Sequence, residues 1–250
     1  SRPIRGTTSW ASSACSSRCA DWCSIEGWRG NRINYQIGTM KIILTGATGF
    51  VGEGVLLECL NDTRVEKVLS ISRRPCGHQH PKLEEYLVKD LMSLPDSDER
   101  LQGYDALFFC AGISSVGMSE EQYRPIAYDI PMHVAKVLPH KERMAYIFVS
   151  GAGTGGSTQM WAKVKRQTEE ELQQLGFKRV FNFRPALMKP MKGQLHVKKM
   201  DKFLGWMFPL TKLIGGGNTL SQVGQAMLNA AESGYGRTAI EVKDINALNK

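Results

Sequence analysis

The sequence lacks the marks of several protein classes. Its longest apolar runs fall far short of the roughly 20 residues that a membrane-spanning helix needs, so no membrane span is predicted. Only six of its 250 residues are cysteine, too few for a disulfide scaffold. No basic and aromatic pattern typical of nucleic-acid binding stands out. The charged fraction of 22% and the hydrophobic fraction of 42% are ordinary for a globular protein and exclude a mostly disordered, collagenous or coiled-coil chain.

The first 39 residues differ in composition from the rest of the chain. They contain three of the five tryptophans, five arginines, clustered serines, no lysine, and only Asp21 and Glu26 as acids. No strand alternation or long amphipathic period runs through them. We therefore predict a disordered extension outside the functional domain, with Met40 as the natural start. Arginine-rich, serine-rich and acid-poor segments are also typical of organellar transit peptides, which is the alternative.

From Met40 onward, short apolar runs alternate with amphipathic stretches. The amphipathic stretches predict helices at 49–60, 120–138 and 159–175. Strands that alternate with helices imply right-handed crossovers and a parallel sheet with helices on both faces. We predict one doubly wound α/β domain over residues 40–250, with ligands bound beyond the carboxyl ends of its strands. The predicted strands are 41–45, 65–72, 85–89, 106–110, 145–150 and 179–183.

A glycine-rich loop joins the first predicted strand to the first predicted helix. Gly46, Gly49 and Gly52 have G-x-x-G-x-x-G spacing. The first glycine permits a tight turn, the second lets the backbone approach a pyrophosphate, and the third allows the helix to pack closely on the strand. Free N–H groups at the helix N-terminus would then bind the phosphates. The loop therefore predicts dinucleotide binding by Gly46, Thr48, Gly49, Phe50, Val51 and Gly52.

The end of the second strand indicates which dinucleotide is bound. An acid there would bind the 2′-hydroxyl of NAD, but this strand ends Ser72-Arg73-Arg74, and Glu66 lies at its start. Arginine suits a 2′-phosphate through charged, forked hydrogen bonds. We predict NADP(H) as the cofactor. If both arginines are solvated loop charges, NAD is the alternative.

Two further strand ends carry predicted cofactor contacts. Asp90, followed by Leu91, is placed either to contact the adenine amino group or to cap the turn that follows it. Cys110, Ala111 and Gly112 end the fourth strand, and their small size lets the chain pass close to the cofactor. We expect Cys110 to be a buried small hydrophobe rather than a nucleophile, because no base is adjacent to it in the sequence.

The order of these motifs resembles a known family. T-G-A-T-G-F-V-G, R-R, C-A-G, F-V-S-G and R-P follow successive predicted strands. Together they resemble the short-chain dehydrogenase/reductase superfamily, and more narrowly its atypical, epimerase/dehydratase-like NAD(P)-binding members. The resemblance implies a Rossmann fold with a small C-terminal substrate cap from about residue 186. It also implies that Arg184 and Pro185 border the nicotinamide end of the cofactor.

The resemblance implies Ser150 and Lys165 as catalytic residues, with Lys165 also holding the nicotinamide ribose. In that family a tyrosine stands four residues before the lysine, but Trp161 occupies the position here. An indole N–H is only a donor and cannot exchange a proton near neutral pH. A nearby hydroxyl could substitute on the serine side, or a tyrosine from elsewhere in the chain could supply the proton. These candidates are Thr154, Ser157, Thr158, Tyr123, Tyr128 and Tyr146.

The predicted function is that of an NADP(H)-dependent oxidoreductase or epimerase-like enzyme acting on a small carbonyl or hydroxyl substrate. Because of Trp161, the alternative is a non-catalytic protein that senses NADP(H) and signals to a partner. We predict a cytoplasmic protein. The apolar stretch 203–210 could line a pocket, form ordinary core, touch a membrane surface or make a subunit contact in a homodimer.

Two clusters of metal-binding residue types occur in the sequence. Cys76, His78 and His80 lie together without an evident fourth ligand. Three cysteines spaced four residues apart precede Met40, in a segment that contains no histidine. We predict no metal site in either place.

Overall fold

A computed structural model describes residues 39–96, 98–197 and 216–250. Within these residues, seven parallel strands form one sheet in the order β3-β2-β1-β4-β5-β6-β9, and β7 and β8 form a small parallel pair. The order runs outward in both directions from β1, which places a topological switch point between β1 and β4. The strands are β1 (Met40–Thr45), β2 (Val65–Ser72), β3 (Leu83–Leu87), β4 (Ala106–Phe109), β5 (Ala145–Val149), β6 (Arg179–Arg184), β7 (Leu187–Lys189), β8 (Gly217–Thr219) and β9 (Ala239–Glu241).

Helices cover both faces of the sheet, so the predicted doubly wound fold is confirmed. Side chains alternate along β1: Ile42 and Leu44 face one core, and Ile43 faces the other. The core that contains Ile42 is closed by α1, α5 and α6, and the core that contains Ile43 is closed by α3 and α4. The helices are α1 (Phe50–Asn61), α2 (Glu120–Arg124), α3 (Ile130–Val137), α4 (Met160–Leu172), α5 (Leu220–Ser233) and α6 (Val242–Leu248).

The helix predicted over 120–138 is interrupted. A π-helical turn, Pro125–Asp129, separates α2 from α3. Pro131 has no N–H to donate back along the helix, and its ring crowds the preceding turn. The hydroxyl of Thr168 on α4 lies 2.9 Å from the carbonyl oxygen of Ala127 and supplies a donor at the break. The interruption is therefore stabilised by the neighbouring helix.

The chain after β6 contains elements that the sequence analysis did not assign. Helix α5 packs along α1 at very short range: a Cβ on Gly54 would lie 2.7 Å from Leu220, and one on Gly224 would lie 2.7 Å from Glu58. Strand β9 then extends the sheet beyond β6, pairing Asn182–Arg184 with 239–241. No helix in the described ranges is long and apolar enough to cross a membrane.

Several predictions fall wholly or partly outside the described residues. They concern the extension at 1–39, the cysteines within it and the apolar stretch 203–210. The predicted substrate cap is described only at its two ends, by β7 and by the chain from residue 216. The extension and the cap therefore stay predictions.

Candidate functional site

The glycine loop forms a tight turn between β1 and α1. Gly46 has φ +81°, and a Cβ there would lie 2.6 Å from the backbone nitrogen of Ala111. A Cβ on Gly52 would lie 2.2 Å from the carbonyl oxygen of Gly46. Both positions therefore exclude a side chain, one because β4 passes close by and one because α1 packs against the turn.

The N-terminus of α1 has the character of an anion site. Gly49 is the N-cap residue and offers no side chain to bond the N–H groups of the first turn. Gly49 is also exposed, and among the described residues other than its chain neighbours a Cβ there would have only the Gly46 carbonyl oxygen within 4 Å, at 3.3 Å. This helix end fits a dinucleotide pyrophosphate, because its backbone N–H groups and the positive end of the helix dipole attract anions. The lack of a side chain on Gly49 lets a phosphate come close to the backbone. Thr48, Phe50 and Val51 lie around this turn, half-buried.

The two arginines predicted to bind a 2′-phosphate lie at the end of β2. Arg73 and Arg74 are exposed, and within the described residues neither forms an ion pair. Their backbone is held by Ser72, whose Oγ donates to the carbonyl oxygen of Arg74 at 2.7 Å. Both guanidinium groups are therefore available to an anion beyond the strand end.

The neighbouring strand ends are occupied by local hydrogen bonds. The Asp90 carboxylate accepts from the N–H of Met92 at 3.1 Å, so it caps the short turn that contains Leu91. The N–H of Ala111 lies 3.3 Å from the Thr45 hydroxyl, which fixes the end of β4 against β1. Burial raises the pKa of Cys110 to about 12. The interpretation of Cys110 as a small hydrophobe rather than a nucleophile stays a prediction. Gly112 follows in an exposed position.

Lys165 and Ser150 come together at the carboxyl end of β5. The Lys165 Nζ donates to the carbonyl oxygen of Val149 at 2.9 Å and lies 4.8 Å from the centre of the Phe148 ring. Lys165 is 8% exposed, so this charged residue lies inside the domain rather than on a solvated helix face. Burial lowers the pKa of Lys165 to about 8, against a smaller opposing effect of Glu169.

A pair of hydroxyls completes this group. The Ser150 Oγ lies 3.0 Å from the Thr154 Oγ1, and Thr154 donates to the carbonyl oxygen of Gly151 at 2.8 Å. Both hydroxyls are buried. Arg166, one residue after Lys165, donates to the carbonyl oxygens of Thr154 and Ser157, which ties the loop after β5 to α4. Arg166 was missed by the sequence analysis because only the fold brings it to this loop.

The structure separates the candidate tyrosines. Trp161 is the second residue of α4 and donates from its Nε1 to Gln159 at 2.6 Å. Tyr146 is fully buried, and its hydroxyl donates to the carbonyl oxygen of Pro131 at 3.1 Å. The Tyr128 hydroxyl donates to Glu171. Tyr123 is buried beside Val164 on α4, in the same apolar cluster as Trp161, and burial raises its pKa.

Arg184 is half-buried and lies in an ion-pair network with Glu169 and Glu241. Its guanidinium donates to both carboxylate oxygens of Glu169 and, at 3.0 Å, to Glu241. These bonds hold the pKa of Arg184 well above its usual value. The side chain therefore joins β6 to α4 and β9, while Pro185 accepts a hydrogen bond from the N–H of Ala152 at 2.9 Å. The predicted cofactor contacts of Arg184 and Pro185 stay predictions.

A buried carboxylate that the sequence analysis did not consider lies in the first turn of α1. Glu53 is fully buried, and its Oε1 is 2.7 Å from the Nε2 of His78. It also accepts from the backbone N–H groups of Leu195 and His196. Burial raises the pKa of this carboxyl, but the hydrogen bonds outweigh it and the net pKa is lowered. Its signal in the sequence was an acid directly after the last glycine of the loop.

The chain matches a family model and several curated proteins. The model describes the NAD dependent epimerase/dehydratase family and matches residues 42–177. Protein FMP52-1, mitochondrial, of Scheffersomyces stipitis is 28% identical over 78% of this chain and 90% of the relative. Protein FMP52, mitochondrial, of Chaetomium globosum is 25% identical over 76% of this chain and 84% of the relative.

Solved structures with the same fold include two epimerases. UDP-glucuronic acid 4-epimerase from Bacillus cereus, in complex with NAD, superposes with a TM-score of 0.61 at 14% identity, covering 81% of this chain and 76% of that one. ADP-L-glycero-D-manno-heptose-6-epimerase from Helicobacter pylori gives a TM-score of 0.60 at 16% identity, covering 87% and 84%. At these identities the comparison bears on the fold alone.

The prediction of a cytoplasmic protein is wrong. The relatives from Scheffersomyces stipitis and Chaetomium globosum are both named mitochondrial. Location is set by a targeting signal rather than by the folded domain, and the arginine-rich and serine-rich composition of residues 1–39 was interpreted as a disordered extension, with a transit peptide only as the alternative.

Proposed function

The chain belongs to the NAD dependent epimerase/dehydratase family, and on this premise we propose that it binds NADP(H) and acts as an oxidoreductase or epimerase-like enzyme on a small carbonyl or hydroxyl substrate. The observation that carries the proposal is the pair of strand ends on either side of β4 in the sheet, those of β1 and β5. The glycine turn follows β1, and the buried Lys165 lies at the end of β5. Bound NADP(H) would supply or accept a hydride.

The residues around the glycine turn and β2 would hold the cofactor. The N–H groups at the start of α1 suit the pyrophosphate, and Gly46 and Gly52 keep the turn close to β4 and the helix. Arg73 and Arg74 are free to bind a 2′-phosphate with charge-assisted hydrogen bonds. An NAD-specific site would instead offer an acid at this strand end.

Lys165 would move the proton in place of the missing tyrosine. With a pKa of about 8 it exchanges a proton near physiological pH, which the indole of Trp161 cannot do. Because the Thr154 hydroxyl donates to Gly151, Ser150 is the donor in its contact with Thr154. The Ser150 oxygen then keeps acceptor capacity toward a substrate hydroxyl.

A cofactor titration of the 250-residue chain tests the proposal. NADPH should bind more tightly than NADH, and changing Arg73 and Arg74 together to alanine should weaken NADPH about 10- to 150-fold while leaving NADH unchanged. Arg237→Ala, an exposed arginine before β9, is the matched control. Equal binding of both cofactors in the unmodified chain would refute the NADP(H) preference, and binding of neither would refute the site.

Trp161 favours a second candidate, a non-catalytic protein that senses NADP(H). Its Nε1 is bonded to Gln159, and the described tyrosines are buried or bonded elsewhere. A panel of aldehydes, ketones and alcohols with NADP(H) separates the two functions. Turnover that rises with an apparent pKa near 8 and disappears in Lys165→Met supports the enzyme, whereas tight NADPH binding with no turnover supports the sensor.

We also propose a mitochondrial location. The names of the fungal relatives and the transit-peptide-like composition of residues 1–39 support it. A fluorescent fusion of the full chain should colocalise with a mitochondrial marker, and deletion of residues 1–39 should disperse it. The predicted homodimer depends on stretch 203–210 and stays a prediction.

A further inference from the structure

The loop at residues 73–80, which carries the two arginines, is fixed to the body of the domain at several points. The Cys76 side chain is fully buried in the core, and its N–H donates to Glu85 on β3 at 2.7 Å. Gly77 turns the chain with φ +82°. The His78 imidazole then meets Glu53 on α1 at 2.7 Å. The arginines are thus presented from a loop whose far end is held by α1.

The same carboxylate also holds a second segment, residues 191–197. Glu53 accepts from the N–H groups of Leu195 and His196, the latter at 2.8 Å. The His196 Nδ1 lies 3.3 Å from the same carboxylate. The Leu195 side chain reaches Gly77 on the arginine loop: a Cβ there would be 3.3 Å from the Leu195 Cδ1. Glu53 therefore lies between two segments that also contact each other.

The position of Glu53 is unfavourable for phosphate binding in itself. A carboxylate one residue after Gly52 places negative charge in the same first turn that offers N–H groups to the pyrophosphate. A buried carboxylate also costs free energy unless it is fully hydrogen-bonded. Its described hydrogen-bond partners are the His78 imidazole and two backbone N–H groups, and the His196 Nδ1 lies 3.3 Å away without a hydrogen bond. Within the described ranges, no three His, Cys, Asp or Glu side chains are grouped to hold a metal ion.

We propose that Glu53 is a positioning residue for the 2′-phosphate end of the cofactor: through His78 it fixes the loop that presents Arg73 and Arg74, and so determines selection of NADP(H) over NAD(H). The inference rests on the proposed function. Arg73 and Arg74 make the contacts, and Glu53 acts through them. Two long, exposed side chains lose less freedom on binding when their backbone is already fixed.

The test compares Glu53→Gln with Glu58→Gln, a change of the same chemistry on the same helix. Glu58 bonds Ser221 on α5 and lies away from the arginine loop. Glu53→Gln should lower the preference for NADPH over NADH about tenfold with NADH affinity unchanged, whereas Glu58→Gln should keep it. Combined with the Arg73→Ala/Arg74→Ala change, Glu53→Gln should cause no further loss of preference.

Two further measurements keep the outcome interpretable. His78→Gln removes the tie to the loop while leaving Glu53 to hold Leu195 and His196, and it should reproduce the lost preference if Glu53→Gln does not fold. Hydrogen–deuterium exchange of residues 73–80 without cofactor should rise in Glu53→Gln and His78→Gln but not in Glu58→Gln. The inference is refuted, while the proposed function stands, if the unmodified chain prefers NADPH and all variants keep that preference. The same holds if Glu53→Gln weakens the binding of NADPH and of NADH equally. If the unmodified chain has no preference, both fail.

Discussion

Replacing Lys165 with methionine should stabilise the folded protein. Lys165 is buried at the end of β5 and bonded only to the carbonyl oxygen of Val149 among the described residues. Methionine has a similar length and no charge to desolvate. Functional residues are often held at a cost in stability. We therefore expect Lys165→Met to gain stability while it loses the amine that the proposed chemistry needs.

The magnitude follows from the lowered pKa. The pKa of Lys165 is about 8, against 10.5 for an exposed lysine. Each pKa unit corresponds to 1.36 kcal/mol, so burying the ammonium costs about 3 kcal/mol at neutral pH. Methionine also leaves the Val149 carbonyl oxygen without its hydrogen-bond donor, which offsets about 1 kcal/mol of the stability gained by removing the charge. Lys165→Met should therefore raise the free energy of unfolding at pH 7 by about 2 kcal/mol.

The pH dependence gives the sharper measurement. The burial cost is fully present below pH 8, where the lysine is charged in both the folded and unfolded states, and it is relieved as pH rises from about 8 to 10.5. Urea denaturation at pH 7 and pH 9.5 should show the advantage of Lys165→Met falling by about 2 kcal/mol. Lys163→Met, an exposed change on the same helix, is the control and should be nearly neutral at both values. The reasoning would be refuted if Lys165→Met were less stable than the unmodified chain at pH 7. It would also be refuted if the stability difference between the two proteins were the same at pH 7 and pH 9.5.

Two other substitutions test the packing that supports the site. Alanine in place of a helical glycine normally stabilises a protein by about 1 kcal/mol. Gly52→Ala should instead lower the free energy of unfolding by about 1–3 kcal/mol and weaken NADPH binding, because its Cβ would overlap the Gly46 carbonyl. Urea denaturation measures the stability and titration measures the binding, and a stabilised variant would contradict the prediction. Thr168→Val should lower the free energy of unfolding by about 1–3 kcal/mol, because it leaves the Ala127 carbonyl at the helix break without the hydroxyl donor. Thermal unfolding measures this loss. An unchanged unfolding midpoint would show that the π-helical turn needs no donor from α4.

The features that depend on local sequence could be predicted. The glycine turn is encoded within eight residues, and the alternation of apolar runs with amphipathic stretches was sufficient for the doubly wound sheet. The predicted helix over 120–138 was wrong in detail because its apolar period continues through Pro125 and Pro131, which break the backbone hydrogen bonds without disturbing the pattern. Strand ends also shifted, and β3 begins at Leu83 rather than at 85.

The contacts that depend on distant residues could not be predicted. Glu53 meets His78 and His196 across 25 and 143 residues of sequence, and no spacing rule links them. His78 drew attention as a metal ligand, whereas the fold turns it toward a carboxylate. Arg184 has the position expected of a cofactor contact, yet Glu169 and Glu241 converge on it from α4 and β9. The burial of Lys165 likewise follows from the packing of α4 on the end of β5, which the sequence pattern does not specify.

The late position of α5 and β9 in the chain constrains when the domain can fold. One face of the sheet is closed by Val223, Met227 and their neighbours, and the edge beside β6 is completed by 239–241. Until residues 220–248 emerge from a ribosome, α1 is the one described helix that covers the apolar face carried by Ile42 and Leu44. The domain therefore cannot close this face of its sheet until almost its whole length is available.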